Sequence, residues 1–189
     1  MKKQISLALV AILATVSLSA EVKKTLYPNG KVKFERNYEN GKLNGIAKAY
    51  YDNGRLKTKT NFKNGKVNGT TYGYYENGVL KAQIPMRMGQ IDGTQKEYYD
   101  NSQLKSTTEY RMDKIIGSKK VYYPNGNMKA KLNFDDSGKF YGTQKEYYAD
   151  GNLKYNVTME DGRAKKGRIY ESNGKDRKMN EQDFAKLGF

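Results

Sequence analysis

The sequence predicts an all-β fold: an elongated, single-layer antiparallel β-meander of repeated hairpins, closed by a short C-terminal capping helix. Three observations carry this expectation. The first is a phrase that returns six times, YPNGKVK, YDNGRLK, YENGVLK, YDNSQLK, YPNGNMK and YADGNLK, beginning at Tyr27, Tyr51, Tyr75, Tyr99, Tyr123 and Tyr148. A fixed interval of 24 or 25 residues marks units that cannot bury a core alone and must stack on their neighbours. The second is strict alternation after each phrase, as in Leu56-Lys57-Thr58-Lys59-Thr60-Asn61-Phe62, the period-two pattern of a strand with one sheltered face. The third is turn chemistry at both ends of that strand. Asp52-Asn53-Gly54 predicts a tight two-residue hairpin, because Asn and Gly tolerate positive φ. Asn64-Gly65 and Asn68-Gly69 punctuate a second connection before the chain returns through Thr70 to Tyr75.

The other copies repeat the pattern. The sheltered set is Val32, Phe34 and Tyr38 in the first copy, and Leu80, Ala82, Ile84 and Met86 in the third. It is Met128, Ala130, Leu132 and Phe134 in the fifth, and Leu153, Tyr155, Val157 and Met159 in the sixth. The second and fourth copies place Thr or Ser at the centre. Paired aromatics such as Tyr50-Tyr51 and Tyr74-Tyr75 put one ring on each face, and neighbouring rings are expected to form stacking ladders along the sheet. After Gly174 the repeat stops, and Asn180 is placed to cap a short helix through Glu181, Gln182, Asp183, Phe184 and Leu187. Such a unit covers the last open edge of a repeat array.

The organisation read from the chain is a secretory signal peptide over 1–20, six repeats over 21–171 and a C-terminal cap over 172–189. Met1-Lys2-Lys3 supplies the positive start, Ile5 to Val16 the short apolar run, and Ser17-Leu18-Ser19-Ala20 the small residues before cleavage. The expectation is therefore an exported protein, periplasmic, extracellular or at the cell surface. The chain has no Cys to accept a lipid anchor or form a disulfide.

Composition narrows the function classes. With neither His nor Cys the chain lacks the usual base near neutral pH, thiol nucleophiles and the commonest zinc ligands. No phosphate-cradling glycine loop opens a helix. Carboxylates are scattered, and the densest pairs, Asp135-Asp136 and Glu160-Asp161, follow no calcium-loop spacing. The expectation is a non-enzymatic protein without catalytic residues, cofactor or metal.

The net charge of +15 points to an acidic or anionic partner. A lysine follows every apolar anchor: Lys33, Lys57, Lys81, Lys105, Lys129 and Lys154. Counted at period two, these lysines fall on the face opposite the anchors and form a candidate binding stripe, about 10 Å from copy to copy. Lys48, Lys96, Lys120 and Lys145 on the returning strands add to the charge. The stripe suits a protein partner or an anionic cell-surface component such as lipid headgroups or lipopolysaccharide. It serves equally as a device that keeps a one-layer sheet soluble. Nucleic acid is not an expected partner of an exported chain, and edge-to-edge self-association is open to any sheet with free edges.

The phrase Tyr-x-Asn-Gly-x-Leu-Lys, followed by an aromatic and a Lys-Asn-Gly-Lys-x-Asn-Gly-like connection, resembles the bacterial variant of the MORN repeat. YPNGKVKFERNYENGKLNG and YDNGRLKTKTNFKNGKVNG match it best, and the resemblance runs from Tyr27 to about Gly174. It implies a hairpin-repeat fold and a role in protein–protein or phospholipid contacts. Proteins of this kind include exported repeat proteins, antitoxin-like proteins and membrane-associated scaffolds. The expected function is an exported module binding a protein or anionic surface. The alternatives are an antitoxin- or inhibitor-like protein that captures one toxin or effector, and a purely structural envelope component.

Overall fold

The computed structural model describes residues 20–189. The expected signal peptide lies outside the described residues except for Ala20, which begins the first strand. Outgoing strands run Val32–Glu39, Leu56–Lys63, Leu80–Arg87, Leu104–Arg111, Met128–Phe134 and Leu153–Glu160. Returning strands run Gly45–Tyr50, Gly69–Tyr74, Gly93–Tyr98, Lys114–Tyr122, Gly142–Tyr147 and Arg163–Tyr170. With Ala20–Leu26 before them, Asp176–Lys178 after them and three two-residue strands in the connections, they form one 17-stranded sheet. Each full strand pairs antiparallel with the next one along the chain, so the sheet is the meander that the repeats predict.

The two edges of the ribbon use different turns, and the tight one is not where the sequence reading put it. At the tyrosine edge the Tyr51 amide donates to the Arg55 carbonyl at 2.8 Å, and the Gly54 amide donates to the Tyr51 carbonyl at 2.9 Å. Gly54 has φ 90° while Asn53 keeps a negative φ, which makes this a type I turn closed by a left-handed residue. Asn53 contributes differently: its Oδ1 accepts the Arg55 amide at 2.8 Å, and its Nδ2 reaches Glu76 in the next repeat. The two-residue turn with both centres at positive φ occurs on the opposite edge, at Asn64 (51°) and Gly65 (81°). Between Asp135 and Lys139 that edge switches to the longer turn, which accounts for the single 25-residue interval.

The structure extends the array beyond the last copy read from the sequence. Glu171-Ser172-Asn173-Gly174-Lys175 closes a further turn, with the Glu171 amide donating to Lys175 at 2.8 Å, and Asp176–Lys178 pairs with Arg163–Tyr170. The helix Glu181–Leu187 then begins at Asn180, whose Oδ1 accepts the Asp183 amide while Asp183 accepts the Asn180 amide, a capping box.

A single sheet cannot enclose a core, and the apolar residues show it. Among the described residues the buried hydrophobics are Tyr155, Val157 and Met159, all in the sixth repeat. Met179, Phe184 and Phe189 of the cap close over them together with Phe140, Ala164 and Ile169. Elsewhere Phe34, Ile84, Met86 and Leu132 are only half-buried.

Candidate functional site

The stripe lysines occupy one structural position in every repeat. Tyr50 pairs with Leu56 and Ala49 with Thr58, so Lys57 is the extra residue of a β-bulge. The same arithmetic holds for Lys33, Lys81, Lys105, Lys129 and Lys154. A bulge breaks the period-two count and divides the sheltered set: Leu56 shares the face of Tyr50 and Lys48, whereas Thr58 shares the face of Ala49. Lys33 Nζ stands 5.6 Å from the ring centre of Phe34, the next sheltered residue beyond the bulge. Lys154 Nζ stands 2.8 Å from Glu146 Oε1, and Glu146 is directly across from the buried Tyr155. The stripe shares the face of Phe34 and Tyr155, the sheltered residues beyond the bulge, as a rim along the tyrosine edge.

Each lysine also lies over the tyrosine of its own repeat, from 5.3 Å for Lys57 on Tyr51 to 5.9 Å for Lys154 on Tyr148. The tyrosine hydroxyls in turn reach forward. Tyr27, Tyr51, Tyr75, Tyr99, Tyr123 and Tyr148 donate to the carbonyls of Tyr50, Tyr74, Tyr98, Tyr122, Tyr147 and Tyr170 at 2.7–2.9 Å. This replaces the expected stacking ladder. Equivalent rings are two strands, about 10 Å, apart, beyond the roughly 4.5–7 Å at which rings attract one another. A second row of bonds runs beside the first, with the side-chain amides of Asn29 and Asn125 donating to the carbonyls of Asp52 and Ala149.

On the other face the register builds a row that sequence reading named only in part. Successive cross-strand partners run Lys24, Glu35, Lys48, Lys59, Tyr72, Gln83, Lys96, Thr107, Lys120, Lys131, Lys145, Asn156, Arg168 and Lys178. Its near end is partly offset: Glu35 takes Lys48 at 3.2 Å and Lys24 at 3.4 Å. The Lys48 hydrogen bond holds the Glu35 carboxyl below its usual range and raises Lys48 in return. Further along, Lys120, Lys131 and Lys145 stand directly across three consecutive strands. Among the described residues no carboxylate lies within 4.0 Å of their amines. The signal for this row is in the sequence, as Lys48, Lys96, Lys120 and Lys145 on four of the returning strands, but only the pairing register shows which residues align.

The row ends in a cleft of about 550 Å³, between the last strands and the cap. Thr143, Asn156, Thr158, Lys165, Lys166, Gly167, Arg168 and Lys178 line it, and Met179 and Phe184 form its apolar wall. Arg168 is paired with Asp176. No carboxylate lines the cleft.

Of the two acidic pairs, Asp135-Asp136 is otherwise engaged. Asp135 Oδ1 accepts the Ser137 hydroxyl at 2.7 Å and the Ser137 and Lys139 amides, which lowers its pKa, and Asp136 pairs with Arg111 at 3.2 Å. Among the described residues no cluster of three or more potential metal-binding side chains occurs.

The MORN repeat variant family profile matches residues 22–42, 43–64, 67–87, 91–112, 116–136 and 140–161. MORN repeats are generally associated with membrane or protein binding and are not a known enzyme family. No curated protein matches the chain. Six tandem matches, in register with six hairpins that share one bulge, one tyrosine bond and one lysine-capped ring, establish that this chain belongs to the MORN repeat variant family.

Proposed function

We propose that this protein is an exported, non-enzymatic binding module that takes an anionic partner, a cell-surface component or an acidic protein, on the basic row of its sheet. One observation carries the reading: Lys120, Lys131 and Lys145 stand side by side without a carboxylate between them. Like charges directly across a ladder destabilise a sheet by about 0.2–1 kcal/mol per pair, so a purely structural role would favour alternating signs. The stripe Lys33, Lys57, Lys81, Lys105, Lys129 and Lys154 has a different main employment, each amine resting on a ring that braces the tyrosine edge.

The test is binding of the purified full chain to anionic vesicles, lipopolysaccharide and neutral vesicles at low and moderate salt. The expected result is saturable, salt-sensitive binding to at least one anionic surface. It should weaken when Lys120, Lys131 and Lys145 become Gln, and weaken less when Lys57, Lys81, Lys105 and Lys129 do. Absence of saturable anionic binding would overturn the reading and leave capture of a single effector, or a structural envelope role, as the better account.

A further inference from the structure

We infer that the row and the cleft are one continuous site for an anionic oligosaccharide, its terminal sugar held in the cleft and its following charged units laid along Lys145, Lys131 and Lys120. This deepens the function proposed above and rests on it. The continuity comes from register. Lys120, Lys131, Lys145, Asn156, Arg168 and Lys178 are successive cross-strand partners, so the line of side chains runs straight across the sheet into the cleft wall. Neighbouring strands are about 4.8 Å apart, a step similar to that of an extended sugar chain, so each unit of such a ligand meets one strand.

The cleft fits a charged sugar better than a bare ion. Its volume of about 550 Å³ falls within the roughly 300–1,000 Å³ of small-molecule sites. Lys166 and Lys178 supply charge for a sulfate, phosphate or carboxylate substituent. Asn156 and Thr158 offer the neutral donors and acceptors that ring hydroxyls need. Phe184 gives an apolar surface for the flat face of a sugar.

The same features argue against the other polyanions. From Lys120 to Lys178 the row carries no aromatic side chain, and the cleft's single ring, Phe184, could stack only one base of a strand. A bilayer meets a surface broadly and gains nothing from a cleft at one end.

The experiment is calorimetric titration of the full chain with a heparin-derived sulfated hexasaccharide. The matching disaccharide, neutral maltohexaose, inorganic sulfate, single-stranded DNA and anionic vesicles are run beside it. The hexasaccharide should bind more tightly than the disaccharide, and maltohexaose should not bind. Changing Lys120, Lys131 and Lys145 to Gln should lower hexasaccharide affinity about tenfold, the sum of three exposed charge contacts, and leave the disaccharide unchanged. Changing Lys166 and Lys178 to Gln should weaken both.

Length-independent binding would overturn the inference, as would equal binding of maltohexaose or DNA, or a row variant that binds the hexasaccharide normally. Vesicle binding without hexasaccharide binding would overturn it while leaving the anionic-surface function standing. Loss of all anionic binding would remove both.

Discussion

Replacing Tyr51, Tyr75 and Tyr99 with Phe tests whether the forward-reaching hydroxyls hold the repeats together. Each substitution keeps the ring beneath its lysine and removes only a hydroxyl that donates to the next repeat, at 2.8 Å in all three cases. A hydrogen bond of this kind contributes about 0.5–1.5 kcal/mol net of its exchange with water. The three bonds are separated by two strands, about 10 Å, far enough for their effects to add. The triple variant should therefore lose about 1.5–4.5 kcal/mol, a large share of the roughly 5–15 kcal/mol that keeps a typical domain folded. Urea unfolding followed by circular dichroism measures it, as a lower midpoint at unchanged slope. If single and triple variants all stay within about 0.5 kcal/mol of the parent, the hydroxyls bond equally well to water. The ladder would then be an accompaniment of the fold and not a cause.

Other outcomes follow from particular residues. Ser102 holds φ 70° where the other tyrosine-edge turns have Gly, so Ser102→Gly should raise stability by about 1 kcal/mol in the same urea assay. A Cβ on Gly167 would stand 2.5 Å from Met179 Sδ and 2.9 Å from the Asn156 carbonyl oxygen. Gly167→Ala should therefore undock the helix at a cost of about 1–3 kcal/mol, seen as faster amide exchange confined to residues 179–189. Asp183 takes two hydrogen bonds from Arg177 and one from the Asn180 amide, which hold its carboxyl well below the ordinary range. A depressed carboxylate stabilises the fold above its unfolded pKa and loses that contribution as pH falls toward its folded value. The cap should accordingly loosen only in strong acid, and Arg177→Gln should move that loosening to higher pH. Lys131→Gln should raise stability by up to about 1 kcal/mol at low salt, with the gain disappearing at high salt.

The repeat fold was legible because period, turn residues and alternation all point the same way in each copy. Three features were not. Lys57 and its equivalents share the face of the sheltered residues beyond the bulge, because a bulge adds one residue without any compositional mark, and period-two counting cannot detect it. The tight turn was placed at Asn53-Gly54 and not at Asn64-Gly65, since Asn-Gly pairs occur at both edges. What separates the edges is whether Asn uses its backbone or its side chain, and residue type does not show that. The row from Lys120 to Lys178 depends on how five strand pairs align, information that lies between segments and not within any of them. The helix cap was readable because its signal is local: Asn180 and Asp183 stand three residues apart.

The bonds from each tyrosine hydroxyl extend only to the following repeat, and Asn29, Asn53 and Asn125 do the same with their side chains. At the tyrosine edge every internal junction therefore repeats the one before it. Gain or loss of a whole copy would leave the remaining junctions intact, whereas a partial copy would break both ladders. The exception is the last junction, where Asp150 stands in place of Asn and its carboxylate turns inward to Asn152. Growth is thus permitted inside the array and ended at one fixed terminus, the one bearing the cleft. Copy number then sets how many strands extend from that terminus, and, on the function proposed above, the length of partner that the row accommodates.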